Sequence, residues 1–271
     1  MAMKFFIWIK KVLTGFSLAG LILAGTGCGP RKTSITLAGS TAFQPFAEKL
    51  AEQYMAENPG IDITVQGGGS AVGIQSALSG AAQIGMADLV VLPEEARALT
   101  ATVVARDGIS IVVHPTNRID NLSTQQVRNL FNGVIKNWKE IGGHDGTVTV
   151  VSREAGSGTR SSFEEIVQGI HLSGDAIIQD SNGTIRETVA NDPNAIGYLS
   201  HGLLNERIKP LRVDGVNCSV ETIKNRKYTL VRPVFLLTQG APKGAAGDFI
   251  GYILSPAGQK TIENSGLIGV E

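Results

Sequence analysis

Three short stretches rich in glycine and serine have the residue types to hold a negatively charged group. They are AGST (38–41), GGGS (67–70) and SREAGSGT (152–159). Each follows a predicted strand and precedes a predicted helix, so Ser40, Ser70 and Ser157 are good N-caps, because a serine oxygen accepts a backbone N–H that the helix leaves unbonded. A helix N-terminus also offers N–H groups and a partial positive charge to an oxyanion, and the Arg153 guanidinium can bind one bidentately. Capping explains any one turn, but three turns and an arginine together indicate an anion site.

The hydrophobic pattern predicts strands that alternate with helices around these turns. Predicted strands cover 34–39, 61–65, 83–88, 108–113, 147–152, 194–200, 208–213 and 228–238. Predicted helices cover 41–57, 71–80, 123–132, 159–170, 245–254 and 256–265. Pro233 marks a break or an edge in the last strand, because proline donates no ladder hydrogen bond. This order is typical of an α/β fold with largely parallel sheets.

The N-terminal residues 1–27 have the features of a secretory signal. Three lysines flank and precede an apolar stretch from 12 to 24, and small residues lead from it to Cys28. The pattern around Cys28 is similar to a bacterial lipoprotein signal, which implies a lipid on Cys28 and a mature chain that begins there. An ordinary signal with an unmodified cysteine, or a signal anchor that stays in the membrane, remains open. Residues 28–32 are expected to form a short tether.

The charge balance and the few cysteines and histidines argue against a nucleic-acid partner, a disulfide and a metal site. The chain has 24 basic and 24 acidic residues; without the three lysines of the signal, 21 basic residues face 24 acidic ones, a net charge of −3. A nucleic-acid partner is therefore not expected, since such binders present a basic surface. Cys218 has no partner for a disulfide if Cys28 is lipidated. The four histidines share no metal-ligand spacing, so the sequence predicts no metal site and no cofactor.

Enzyme motifs are missing around the three turns. No GxxxxGK[ST] occurs, and GGGSAVG (67–73) lacks the full dinucleotide fingerprint. The stretch around Ser157 is compatible with a serine hydrolase, but it lacks G-x-S-x-G and no histidine can be assigned as its base. We therefore expect a binding protein and not an enzyme, with a secreted hydrolase as the less favoured alternative.

Six longer stretches carry a family resemblance. They are AGSTAFQP (38–45), GGGSAVGIQSALSG (67–80), GMADLV (85–90), LFNGVIKNWKEIGG (130–143), SREAGSGTRSSFEE (152–165) and IGYLS (196–200). Together they resemble the phosphate-binding proteins of phosphate ABC transporters. The resemblance implies an α/β, two-lobed periplasmic-binding-protein fold of type II. It also implies that inorganic phosphate binds in the cleft between the lobes and is delivered to the permease subunits of a transporter.

The resemblance implies a set of nine phosphate-binding residues. They are Ser40, Thr41, Ala42, Ser70, Asp88, Arg153, Ser157, Gly158 and Thr159. Ala42 would contribute its backbone amide; it stands where the family has an aromatic residue, and Phe43 follows it. The family also has an acid close to the arginine, where this chain has Ala155, so either Glu154 orients Arg153 or no residue does.

A carboxylate at an anion site is explained if the ligand carries a proton. Phosphate near neutral pH keeps a P–OH group that can donate to Asp88, whereas sulfate has no proton and would be repelled. Such a site can reject an analogue that lacks the hydroxyl by about 10⁴–10⁵-fold. Asp88 as a turn cap remains an alternative. Another oxyanion as ligand (sulfate, molybdate or tungstate) and a phosphate sensor without a transporter also remain open.

The lobes and the cellular location complete these expectations. Residues 33–111 and 235–271 are predicted to form lobe 1 and residues 112–234 lobe 2, with two hinge crossovers near 112–117 and 232–238. Lobe 1 then holds the first two turns and Asp88, and lobe 2 holds the third turn, as a closing cleft requires. We expect a monomer that is secreted and lipid-anchored at the outer face of the cytoplasmic membrane.

Overall fold

The computed structural model describes residues 32–270, which contain twelve strands and eight α-helices. The strands are β1 Thr33–Gly39, β2 Ile61–Gln66, β3 Ile84–Ala87, β4 Thr100–Val113, β5 Asn121–Leu122, β6 Thr149–Arg153, β7 Ile177–Gln179, β8 Ala195–Ser200, β9 Lys209–Pro210, β10 Arg212–Val213, β11 Val231–Thr238 and β12 Ile268–Gly269. The helices are α1 Gln44–Glu57, α2 Ser70–Ser79, α3 Thr124–Phe131, α4 Gly158–Val167, α5 Asn182–Asn191, α6 Val220–Lys224, α7 Gly244–Leu254 and α8 Pro256–Asn264.

Ten of these strands form one mixed sheet in the order β2-β1-β3-β11-β4-β8-β6-β7, with β9 and β12 also paired to β4. Strands β1–β3 are parallel to one another, and β6 is parallel to β7 and β8, but β11 runs antiparallel to both β3 and β4. The expectation of largely parallel sheets was therefore wrong for the centre. Strand β4 leads the chain out of one hydrophobic core and β11 brings it back, so these two long neighbours must run in opposite directions.

Two large hydrophobic cores lie at the two ends of these long strands. The first is built from β1, α1, β3, α7 and α8, with Val104 of β4 and Val234 of β11. The second is built around α3, α4 and β8, with Ile111 of β4 and Val231 of β11 packed into or against it. Each long strand therefore contributes to both cores. The predicted lobe boundaries stay a prediction.

Strand β4 changes its sheet partner in the middle. Its first half pairs with β11, ending at the pair Val231–Gly108, and from Ile109 onward it pairs with β8. Pro233 lies in β11 opposite Arg106 of β4, while β3 pairs only with 235–237. The proline therefore interrupts no ladder on the β3 side, and the predicted break takes the form of a register shift between Val234 and Phe235.

Serine caps start several of the helices. The Ser123 oxygen accepts from the Gln126 amide at the start of α3, Ser157 does the same for Arg160 in α4, and Ser181 for Thr184 in α5. Helices α5 and α6 and strand β7 were not predicted, and β4 begins at Thr100, earlier than the predicted 108.

The predicted signal (1–27), the lipid site Cys28 and the tether up to residue 31 lie outside the described residues. Within the described part of the chain, no helix is long and apolar enough to cross a membrane. Cys218 is a buried free cysteine, and residues 32–270 contain no cluster of three or more His, Cys, Asp or Glu that could hold a metal ion.

Candidate functional site

The third turn places Arg153 at the end of β6 and the next helix just beyond it. Ser157 is the N-cap of α4, and its oxygen accepts from the Arg160 amide at 3.2 Å. Gly158 and Thr159 are the first two helical residues, so their amides have no acceptor within the helix and point out of its N-terminus. Such an end presents N–H donors and a partial positive charge to an anion.

The Arg153 guanidinium is buried, with 1% of its surface exposed, and it is held on one side only. Its Nε and Nη2 atoms donate to the two carboxylate oxygens of Glu154 at 2.9 and 2.8 Å. The same two nitrogens also approach the backbone oxygens of Gln179 at 3.3 Å and Asp180 at 3.2 Å. The Nη1 atom has no hydrogen-bond partner among the described residues. Because a buried guanidinium nitrogen rarely lacks a partner, this atom marks a place for an acceptor from outside the chain.

The first turn is tightly bonded to itself. The Ser40 side chain is buried, and its oxygen accepts from the amides of Ala42 at 3.2 Å and Phe43 at 3.1 Å. Helix α1 consequently begins at Gln44, later than the predicted residue 41. The Phe43 ring lies in the first hydrophobic core, which accounts for an aromatic residue there without any contact to a ligand.

The second turn is bonded directly to the predicted acid. Ser70 donates from its hydroxyl to Asp88 Oδ1 at 2.7 Å, and its oxygen accepts from the Asp88 amide at 3.1 Å. Both residues are buried, with 1% and 2% of their surfaces exposed. Thr159 donates from its hydroxyl to the other carboxylate oxygen, Oδ2, at 3.4 Å. Asp88 therefore lies where the second and third turns meet.

Backbone contacts also join the second and third turns. The Ala71 amide at the start of α2 donates to the backbone oxygen of Gly156 at 3.1 Å. Gly69 lies close enough to Glu154 that a Cβ atom there would be 3.1 Å from Glu154 Oε1. The carboxylate that holds Arg153 thus lies beside the second turn. The Gly69 amide also donates to the backbone oxygen of Gly39 in the first turn at 2.9 Å, so all three predicted turns meet at one place.

Asn182, which was not predicted as a site residue, bridges the first and third turns. It is the first residue of α5 and is 1% exposed. Its Nδ2 atom donates to the hydroxyl oxygens of Thr41 and Thr159, both at 3.3 Å, and its Oδ1 accepts from the Ser200 amide at 3.1 Å. The sequence feature that could have indicated this residue is its place directly after Ser181, the serine that caps α5.

A second arginine, Arg232 of β11, was also missed. It is fully buried and forms ion pairs with Asp88, at 2.5 Å, and with Asp107 of β4, at 2.8 Å. Asp107 accepts as well from the Ser200 hydroxyl at 2.8 Å. Burial raises the pKa of the Asp107 carboxyl, and the attraction of Arg232 opposes that rise. The available signal was an arginine inside the apolar run YTLVRPVFLLT (228–238), which requires a buried acid as its partner.

Taken together, the geometry favours a small oxyanion that also carries a hydroxyl. Arg153 and the N-terminus of α4 supply donors with positive character. Asp88 supplies an acceptor: each of its oxygens has two lone pairs, and Oδ1 uses only one of them, on Ser70. A ligand that can both accept and donate satisfies the two sides at once.

Comparison with known proteins agrees with this chemistry. Residues 24–257 match the model of the PBP superfamily domain. The phosphate-binding protein PstS of Bacillus subtilis (strain 168) is 36% identical over 233 residues, which cover 84% of this chain and 78% of that protein. The PstS protein of Borreliella burgdorferi is 26% identical over 97% of this chain and 99% of its own length.

Solved structures give the same result. A phosphate ABC transporter substrate-binding protein from Clostridium perfringens, crystallised with bound phosphate, is 35% identical; the match covers 88% of this chain and all of that one, with a TM-score of 0.85. An ABC-type phosphate transport receptor from Vibrio cholerae is 31% identical, covers 87% of this chain and all of its own, and has a TM-score of 0.73. The predicted α/β, two-lobed fold is thereby confirmed. The chain belongs to the PstS family of phosphate-binding proteins within the PBP superfamily.

Proposed function

We propose that this protein binds inorganic phosphate and delivers it to an ABC transporter, and that it is not an enzyme. The buried Nη1 atom of Arg153, which has no partner among the described residues, carries the proposal. Glu154 fixes the other edge of the guanidinium, so the arginine offers a positioned donor and not a mobile charge. A phosphate oxygen is the acceptor that this donor requires.

The nine residues predicted from the sequence remain the proposed ligands. Seven of them supply hydroxyls, charged groups or helix N-terminal amides at the place where the three turns meet, and they are Thr41, Ser70, Asp88, Arg153, Ser157, Gly158 and Thr159. Ser40 and Ala42 complete the first turn; the Ala42 N–H donates to the Ser40 oxygen in this structure, so it contacts phosphate by exchanging that bond. Asn182 joins the set through its contacts to Thr41 and Thr159.

Asp88 supports phosphate over sulfate, molybdate or tungstate. A carboxylate that is ionised can only accept, and a fully deprotonated oxyanion has no proton to donate to it. Phosphate keeps a P–OH group near neutral pH and so pairs with the carboxylate without repulsion. A site that loses such a hydrogen bond with the wrong ligand can discriminate by about 10⁴–10⁵-fold.

The delivery step fits a protein held near the transporter. One of the relatives named above is a phosphate ABC transporter substrate-binding protein, and another is an ABC-type phosphate transport receptor. A lipid on Cys28 would hold a secreted monomer at the outer face of the cytoplasmic membrane, where permease subunits accept the ligand. Mass spectrometry of the envelope fraction tests this part, since a diacylglyceryl group on Cys28 supports it and a free thiol there contradicts it.

The first experiment is calorimetric titration of the ligand-free protein with phosphate and, separately, with sulfate. Tight one-to-one binding of phosphate without binding of sulfate is the expected result. Binding of sulfate or molybdate instead would keep the fold and overturn the ligand. Failure to bind any of these anions would overturn the proposed function.

A further inference from the structure

A buried group of three charges lies directly behind the proposed phosphate site. It consists of Asp88, Arg232 and Asp107, with 2%, 0% and 1% of their surfaces exposed. Two acids and one arginine leave this group with one negative charge. Removing one partner of a buried ion pair leaves an uncompensated charge and is strongly unfavourable. The arginine is therefore the member on which the other two depend.

Every nitrogen of the Arg232 guanidinium is occupied by these two acids. Nη1 forms an ion pair with Asp88 Oδ2 at 2.5 Å and donates to the Asp88 backbone oxygen at 3.4 Å. Nε and Nη2 donate to Asp107 Oδ2 at 3.3 and 2.8 Å. Arg153, in contrast, keeps Nη1 without a partner among the described residues. Because all three nitrogens of Arg232 contact the two acids and its side chain is fully buried, it acts on a ligand through Asp88.

The pairing of β11 with β4 fixes where Arg232 lies. Arg232 of β11 lies directly opposite Asp107 of β4 in the antiparallel register. One residue further along is the last pair, Val231–Gly108, after which β4 pairs with β8 instead of β11. The arginine is therefore anchored on the two strands that join the hydrophobic cores, and it reaches from there to the acid at the site.

We propose that Arg232 is a positioning and specificity-determining residue: anchored by Asp107, it holds the Asp88 carboxylate in place and directed at the ligand, and so sets the preference for an oxyanion that carries a hydroxyl. This inference rests on the proposed function. The ion pair of Arg232 with Asp88 Oδ2 and the Ser70 hydroxyl on Oδ1 together fix the orientation of the carboxylate. Without Arg232 the carboxylate is free to turn from the ligand, and phosphate then loses an acceptor that sulfate does not use.

The test is a double-mutant cycle on anion preference. The dissociation constants of phosphate and sulfate are measured at one pH for the wild type, Arg232→Gln, Asp88→Asn and the double variant. We expect Arg232→Gln to lower the sulfate-to-phosphate ratio of dissociation constants by at least about tenfold, equivalent to 1.4 kcal/mol. Adding Asp88→Asn should then change the ratio by less than about twofold, because both substitutions act on the same acceptor.

The conservative variant separates charge from shape. Arg232→Lys keeps the positive charge and loses the forked contact, so its ratio should lie between those of the wild type and Arg232→Gln. Arg128→Gln is the matched structural control, because Arg128 donates to the backbone oxygens of Val167 and Gln168 at the end of α4, away from the site. It should lower the melting temperature and leave the ratio unchanged.

Folding is checked by thermal melting of each variant. Should Arg232→Gln not fold, the charge-balanced pair Arg232→Gln with Asp107→Asn takes its place in the cycle, since removing both partners of a buried pair is far milder than removing one. The role of Arg232 would be overturned if Arg232→Gln kept the wild-type ratio of dissociation constants. It would also be overturned if the effects of Arg232→Gln and Asp88→Asn on that ratio added fully in the double variant. A wild type that binds no phosphate would instead overturn the proposed function.

Discussion

Gly158 lies so close to Ser70 that no side chain fits between them. A Cβ atom at Gly158 would be 2.1 Å from Ser70 Oγ and 2.6 Å from the backbone oxygen of Asp88. The N-terminus of α4 is therefore seated directly on the second turn and on the acid. Since a backbone oxygen cannot turn aside as a side chain can, this contact depends on glycine.

Gly158→Ala should consequently push the second and third turns apart. We expect phosphate to bind at least about tenfold more weakly, because donors and acceptor no longer face the ligand together. The matched control is Gly156→Ala in the same loop, where a Cβ atom would make an ordinary contact of 3.4 Å with the Ala71 Cβ. Calorimetry should show near wild-type phosphate affinity for that control. Equal phosphate affinities of the two variants would contradict the role of the close contact between Gly158 and the second turn.

Glu154→Gln should weaken phosphate binding through Arg153. The carboxylate holds Nε and Nη2 in a bidentate pair, and an amide can keep only one of these bonds as an acceptor. The loosened guanidinium then has to be ordered again on each binding event, and we expect about a tenfold loss of affinity. Glu165→Gln, an exposed glutamate on α4, is the control. No difference between the two variants would mean that the backbone oxygens alone orient Arg153.

Asn182→Asp tests the bridge between the first and third turns. The substitution keeps the acceptor for the Ser200 amide but removes the Nδ2 donor to Thr41 and Thr159 and adds a negative charge. Phosphate affinity should fall by more than tenfold, since the added charge repels the anion at close range. Asn191→Asp at the other end of α5 makes the same chemical change outside the site, and it should bind as the wild type does. Unchanged binding by Asn182→Asp would remove Asn182 from the site.

The sequence predicted the local parts of this site well. Serine caps, a strand before each turn and a helix after it depend on residues close in the chain, and Ser157 caps α4 as these rules predict. The prediction of a cap was wrong for the other two serines: Gly69 is the N-cap of α2 and Phe43 that of α1. The Ser70 hydroxyl bonds to Asp88 instead, a partner that is distant in the chain. Asn182 and Arg232 were missed for the opposite reason. Asn182 contacts Thr41 across 141 residues, and Arg232 contacts Asp88 across 144.

The contacts of Arg232 follow from the pairing of β11 with β3 and β4, which no local pattern specifies. An arginine in an apolar strand predicts that an acid must face it, but only the antiparallel register names Asp107 as that acid. The same register explains why the centre of the sheet is not parallel. Sequence reasoning therefore found the three turns and Asp88, and it missed Asn182 and the two buried charges, Arg232 and Asp107, that support Asp88.

Cys218 should make stability fall at alkaline pH. Burial raises the pKa of its thiol to about 12 from an ordinary value of 9.0. The folded state thus holds the proton more tightly than the unfolded state, so this contribution is complete below pH 9 and is lost as pH rises from there toward 12. About 1.4 kcal/mol of unfolding free energy should be lost from this group between pH 8 and pH 10.

Comparison with Cys218→Ala isolates that contribution. Tyr198, whose pKa burial also raises to about 12, is present in both proteins and cancels in the difference. Cys218 contributes to the raised pKa of Tyr228, but burial is the largest cause and remains in the variant, so the comparison is restricted to pH 8–10, where Tyr228 stays protonated in both folded proteins. Urea unfolding at a series of pH values should show the wild type losing about 1.4 kcal/mol more than the variant between pH 8 and pH 10. The variant starts lower at every pH because it leaves a small cavity, so the slope and not the absolute stability decides. Parallel curves would mean that the thiol gains access to water before the protein unfolds.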